Sequence, residues 1–137
     1  MQILTGMHRS GTSLAARLLQ RAGADLGDPA GFYPANRWNP DGYFERNDII
    51  LLNRRLLHGW LGRFMYFYVP SDETMRRRGR RMAASLQETG RSYAGKLLKD
   101  PRFTVTAPVW EENGVLIEKF LICIREPIEV ADSLRRR

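Results

Sequence analysis

The chain has 137 residues, of which 43% are hydrophobic and 27% charged, enough for one domain with a packed core and too apolar for wholesale disorder. Its one cysteine, Cys123, excludes an internal disulfide and a cysteine-based metal site and points to a reducing compartment. No apolar run approaches the ~20 residues that span a bilayer, and the N-terminus has no basic segment leading into an apolar signal region. These features predict a soluble, cytoplasmic protein. The net charge of +7 comes from 22 Lys+Arg against 15 Asp+Glu, but it is concentrated. Arg76, Arg77, Arg78, Arg80 and Arg81 form one cluster and Arg135, Arg136 and Arg137 another; taking those eight away turns +7 into −1. A nucleic-acid binder spreads a basic stripe over its docking face, so nucleic acid is not an expected partner. The clusters read either as solvated helix ends or as attractors of an anion.

In chain order, Gln2 to Thr5 is a short apolar run ended by Gly6, a buried-strand pattern. Thr12 to Ala22 follows as a helix with Leu14, Ala15, Leu18, Leu19 and Ala22 on one face and Gly23 at its end. Residues 24–44 carry Pro29, Pro34 and Pro40 together with Gly27, Gly31 and Gly42, which predicts a long loop, and long loops inside compact domains tend to be functional. Arg46 to Leu61 has apolar residues at helical spacing. The run Phe64-Met65-Tyr66-Phe67-Tyr68-Val69 fits a strand or a pocket wall equally. Ser71, with Asp72 and Glu73 behind it, starts a helix that reaches Thr89. Lys96 to Lys99 is a strand leading into Asp100-Pro101, and a short helix spans Thr106 to Glu112, closed by Gly114. Lys119 to Ile124 is a continuous apolar run expected to be buried on both faces. Pro127 then opens a last helix.

Strands alternating with helices predict an α/β domain with a parallel sheet flanked by helices in three layers. Only three strands are readable where sheets average ~5–6. The expected domain is therefore residues 1–137 as the N-terminal part of a larger α/β domain, with a C-terminal portion missing.

Between the first strand and first helix lies Gly6-Met7-His8-Arg9-Ser10-Gly11-Thr12-Ser13. It has the spacing of the phosphate loop G-x-x-x-x-G-K-[ST], with Thr12 where the lysine belongs. The glycines let backbone N–H groups point at an anion, and the helix N-terminus adds about half a positive charge. The missing lysine argues against triphosphate chemistry, where it holds the β- and γ-phosphates. The alternative is a structural glycine turn before a helix.

Arg-Ser-Gly-Thr-Ser resembles the 5′-phosphosulfate loop of the sulfotransferases that use 3′-phosphoadenosine 5′-phosphosulfate. A second stretch, Arg125-Glu126-Pro127 through Ser133, resembles that family's 3′-phosphate site: arginine at a strand end, proline two residues on, serine eight residues after the arginine. Asn39-Pro40-Asp41-Gly42-Tyr43-Phe44-Glu45 and Lys99-Asp100-Pro101-Arg102 resemble two weaker family elements. The resemblance spans residues 3–134. It implies a P-loop nucleoside-triphosphate-hydrolase-like sulfotransferase fold and transfer of a sulfuryl group to a hydroxyl or amine without a metal. In this reading Arg9, Ser10, Gly11, Thr12 and Ser13 hold the 5′ end of the nucleotide, and Arg9 offsets charge on the leaving phosphate. Arg125 and Ser133 hold the 3′-phosphate, Lys99 steadies the transferring group, and Glu45 is the base.

For Glu45 the plain alternative is an acidic residue in the first turn of the next helix; His8, His58, Asp25 and Asp28 are further candidate bases. Trp38, Tyr43, Phe44, Trp60 and the aromatic run at 64–68 suit an acceptor pocket or simply the core. A small-molecule kinase using Asp100 for Mg²⁺, and a nucleotide-binding module without catalysis, stand as rival readings. The sequence leaves the acceptor and a homo-oligomeric state open.

Overall fold

A computed structural model describes residues 1–59 and 69–135. Three parallel strands form one sheet in the order β2-β1-β3: β1 (Gln2–Gly6), β2 (Leu97–Lys99) and β3 (Lys119–Cys123). Ile3 pairs with Leu98 on one side and Phe120 on the other. As the middle strand, β1 is covered on both faces, and its alternation divides the core. Ile3 joins the larger cluster with Ile49, Leu56, Leu86, Phe103 and Trp110. These come from α2 (Asn47–His58), α3 (Asp72–Ser92) and α4 (Phe103–Glu112). Leu4 joins the smaller cluster with Ala16 of α1 (Thr12–Arg21), Leu26 and Leu97. The expected α/β class is present, with a three-stranded parallel sheet flanked by helices. Among the described residues no helix is long and apolar enough to cross a membrane.

Local chemistry sets most boundaries. Helix α1 ends in a Schellman motif: Gly23 takes φ +97°, Ala24 N–H reaches the Leu19 carbonyl and Gly23 N–H that of Gln20. Gly114 closes α4 in the same way, through Val115 N–H to Trp110 and Gly114 N–H to Glu111. Ser71 Oγ accepts the Thr74 N–H at the start of α3, as its sequence predicts. Helix α2 stops at Gly59, φ +66°, so the expected extension to Leu61 falls outside the described residues, as do Trp60 and the aromatic run at 64–68.

Three expectations need correction. Helix α4 begins at Phe103, three residues before Thr106. Asp100 Oδ1 accepts the Arg102 N–H, and Thr104 N–H reaches the Pro101 carbonyl, so the turn at Asp100-Pro101 feeds directly into the helix. Strand β3 is not buried on both faces: Ile122 is 57% exposed. It pairs with β1 alone, and of its side chains only Cys123 packs against a core cluster, the smaller one. An edge position, which an apolar run does not encode, accounts for the difference. The arginine cluster of α3 is also not wholly solvated. Arg78 Nη1 donates to the Leu56 carbonyl at 2.9 Å and also to that of Leu57, tying α3 to the last turn of α2. Arg76 and Arg80 pair with Glu112 and Glu73.

The sheet's C-terminal end is held by a buried polar chain. Asn53 of α2, fully buried, donates to Asp100 Oδ2 at 3.0 Å and accepts from Thr106 Oγ1 and Trp110 Nε1 at 2.8 and 2.9 Å. An apolar residue of similar volume would leave the Trp110 N–H without that acceptor and the Asp100 carboxylate without one of its donors. Asn53→Leu is expected to lower unfolding free energy by about 2–4 kcal/mol, measured by urea denaturation; a loss below ~1 kcal/mol would show that the network adds little.

Candidate functional site

All three strands point their C-terminal ends at one cleft of about 410 Å³. The loop from β1 to α1 forms its floor. Gly6 is required there because a β-carbon would collide with the Cys123 carbonyl oxygen and lie 2.8 Å from Ser10 Oγ. Arg9 takes the left-handed region at φ +69° and Gly11 at φ +87°; a non-glycine residue held there costs roughly 1 kcal/mol. Gly11 is the N-cap of α1 and brings no side-chain cap. The first intrahelical bond is Ala15 N–H to the Gly11 carbonyl, so the amides of Thr12, Ser13 and Leu14 have no partner within the helix. Gly11, Thr12, Ser13 and Leu14 all line the cleft.

The two strand-end motifs meet. Arg9 Nε donates to Ser133 Oγ at 2.8 Å, across 124 positions of chain. Arg125 Nη1 donates to the Arg9 carbonyl at 3.2 Å, and its Nε to Glu129 Oε2 at 2.8 Å. Pro127 starts α5 (Pro127–Arg135), which carries Ser133 back to the loop. Arg9, Gly11, Thr12, Ser13, Arg125 and Ser133 all line the cleft. Ser10 does not: its hydroxyl donates to the Met7 carbonyl at 2.6 Å and closes the loop on itself. The Thr12 side chain is largely buried, leaving its amide as the group best placed for a ligand.

The opposite wall is charged. Glu45 is buried and accepts from Lys99 Nζ at 2.5 Å, with Arg102 Nη1 at 3.5 Å from its other oxygen. Arg102 also donates to Asp100 Oδ1 at 2.8 Å. The capping alternative for Glu45 does not hold. Arg46 is the N-cap of α2 and Asp48 the acid of its first turn, while Glu45 precedes both and faces Lys99. Phe44, at φ +56°, turns the chain there, and its ring packs against Phe32 in the smaller core cluster rather than in the cleft. Asp100 is fully buried, with its two oxygens engaged by Arg102 and Asn53, a poor arrangement for capturing Mg²⁺.

Loop 24–44 builds the outer rim. Asn39 Nδ2 donates to Ser13 Oγ at 3.2 Å and to the Gly42 carbonyl at 2.7 Å, and Arg17 pairs with Asp41 at 2.8 Å, docking the loop on α1. Tyr33, Trp38 and Tyr43 line the cleft. Of the other candidate bases, Asp25 and Asp28 accept the Gly27 and Ala30 amides in turns. His58 is half-buried in the last turn of α2, outside the cleft lining. The sequence reading missed Tyr33 and Arg54, both of which line the cleft. Arg54 lies one helical turn after the buried Ile50, which lines the same cleft, and no motif in the sequence marks either Arg54 or Tyr33.

Among the lining side chains, Arg9, Arg54, Lys99, Arg102 and Arg125 face a single carboxylate, Glu45. The balance favours an anionic ligand. Comparison of the chain with protein-family models, curated proteins and solved structures finds no match.

His8 keeps contact with solvent but stands among the cleft walls. Their bulk, above all, pushes its imidazole pKa below 6.5; Arg102 and Lys99 add to this, and Glu45 and Asp100 oppose it. Its contribution to stability is therefore present above about pH 6.5 and declines as pH falls below that value. A bound anion acts in the opposite direction and raises this pKa, so binding takes up a proton. Sulfate, which does not titrate in this range, is expected to bind more tightly as pH falls from about 7.5 to about 5.5, by at most about tenfold per unit. In His8→Gln the affinity stays flat; a flat wild-type profile by calorimetry would remove His8 from the anion site.

Proposed function

We propose that the chain is a sulfotransferase-type domain that binds 3′-phosphoadenosine 5′-phosphosulfate, the reading that its sequence motifs imply. The observation that carries it is the Arg9–Ser133 hydrogen bond together with Arg125 on the Arg9 carbonyl. Two motifs chosen for two ends of one nucleotide lie against each other, beside a helix N-terminus without a side-chain cap. In this proposal the amides of Gly11, Thr12 and Ser13 receive the 5′-phosphate, and Arg125 with Ser133 receives the 3′-phosphate. An arginine fork suits a phosphate dianion.

The chemistry follows from the opposite wall. The acceptor's oxygen or nitrogen forms a bond to sulfur as the bond from sulfur to the 5′-phosphate oxygen breaks. Adenosine 3′,5′-bisphosphate leaves with the electron pair, and the acceptor's proton passes to Glu45. Arg9 and Lys99 offset the charge on the leaving phosphate and on the sulfuryl oxygens. Glu45 suits the role of base because it lines the cleft and is held in place by Lys99 and Arg102. The kinase reading is weaker, since Thr12 stands where the γ-phosphate lysine belongs and Asp100 is already engaged.

The test is binding without metal. Adenosine 3′,5′-bisphosphate is expected to bind equally well with Mg²⁺ and with EDTA, and at least about tenfold more tightly than ATP, as one added charge-assisted contact would give. Strong Mg²⁺-dependent ATP binding by calorimetry would replace this reading with the kinase.

A further inference from the structure

The cleft holds more positive charge than the nucleotide uses. Arg9 and Arg125 belong to the loop and the α5 motif. Lys99 and Arg102 are paired with Glu45 and Asp100. Arg54 is different. It belongs to α2, is exposed, lines the cleft, and forms no ion pair or side-chain hydrogen bond among the described residues. Ile50, one turn earlier on the same helix, is buried and lines the same cleft. A lone guanidinium lining a cleft rich in positive charge suits recognition of an anionic group.

The rim of the same cleft carries rings held in place before any ligand arrives. Tyr33 and Tyr43 pack edge to face with centroids 5.5 Å apart. The Tyr43 hydroxyl donates to Asn36 Oδ1 at 2.9 Å, and the same oxygen accepts the Trp38 and Asn39 amides. Tyr43 thus has its polar tip occupied, and the Asn36 turn fixes the backbone of Trp38. Arg37 stacks 4.5 Å from the Trp38 centroid. Tyr33 and Trp38 are each 41% exposed, although both are large apolar rings on an otherwise pinned loop. Rings fixed before binding lose little entropy when a ligand stacks on them.

We propose that the acceptor is a ring compound bearing a fixed negative charge, with its ring on the Tyr33–Trp38–Tyr43 rim and its anionic group on Arg54. This rests on the sulfotransferase reading for the word acceptor, but its binding claim does not. A sugar acid and an aromatic acid share the required chemistry, and matched pairs separate them from each other and from neutral rings. The probes are methyl β-D-glucuronide and its amide, and 4-hydroxybenzoate and 4-hydroxybenzamide. Each would be titrated by calorimetry into the protein with and without saturating adenosine 3′,5′-bisphosphate.

The expected result is that at least one acid binds about 5- to 10-fold more tightly than its amide, the lower end for a charge-assisted contact at an exposed group. The pair that shows the preference identifies the ring type. In Arg54→Gln the preference disappears, while affinity for adenosine 3′,5′-bisphosphate is unchanged. Arg54→Lys, which keeps the charge, recovers part of it. Equal binding of acid and amide in both pairs would overturn the proposal. So would a preference that survives Arg54→Gln, or acids that compete with the nucleotide. Should the nucleotide itself not bind, the sulfotransferase reading falls, while the acid-over-amide preference in the nucleotide-free protein still decides the role of Arg54.

Discussion

The architecture depends on burying charge at the C-terminal end of β2. Lys99, Asp100 and Glu45 are each under 10% exposed, and a lone charge in that position would cost several kcal/mol in desolvation. The fold meets that cost by pairing: Lys99 on Glu45, Arg102 on both Glu45 and Asp100, Asn53 on Asp100. Each partner comes from a different element. Glu45 ends the long loop, Asn53 sits in mid-α2, and Arg102 is the N-cap of α4. Satisfying these charges therefore fixes where the loop, α2 and α4 stand relative to the sheet. The same requirement leaves Lys99 and Glu45 facing the cleft as a preformed pair, so the groups that stabilise this end of the molecule are also those available for chemistry.

The second constraint is steric. Because Gly6 has no side chain, the Cys123 carbonyl can approach the start of the phosphate loop. That approach brings the end of β3, and with it Arg125 and Ser133, into reach of Arg9. With β3 alongside it, the loop between β1 and α1 adjoins Arg125 and Ser133, the pair to which the proposed function gives the 3′-phosphate.

The parts of this structure visible in the sequence were those fixed locally. Gly23 and Gly114 cap helices because a positive φ is cheap for glycine, and Ser71 caps because its hydroxyl reaches an amide three residues ahead; no distant residue is needed for either. The order of strand, glycine loop and helix around Gly6 to Ser13, and the helix opened by Pro127, were legible for the same reason. What depends on distant neighbours was not. The apolar run of β3 has the composition of a central strand, but its position at the sheet edge is decided by which strands pair. Glu45 precedes a helix, so the sequence fits a capping acid as well as a base, until Lys99, 54 residues later, draws it inward. Arg78 reads as one arginine of a solvated cluster, whereas it binds the carbonyls that end α2. Arg54 carries no motif at all, and only the wall on which α2 places it gives it a role.

The proposed function requires Arg125 and Ser133 to form a phosphate site separate from the loop amides. The most direct measurement compares adenosine 3′,5′-bisphosphate with adenosine 5′-monophosphate by calorimetry in the wild type and in Arg125→Ala. Loss of a charge-assisted contact worth ~1.5–3 kcal/mol should weaken the bisphosphate roughly 10- to 150-fold and leave the monophosphate nearly unchanged. Equal weakening of both nucleotides, or of neither, would contradict a separate 3′-phosphate site.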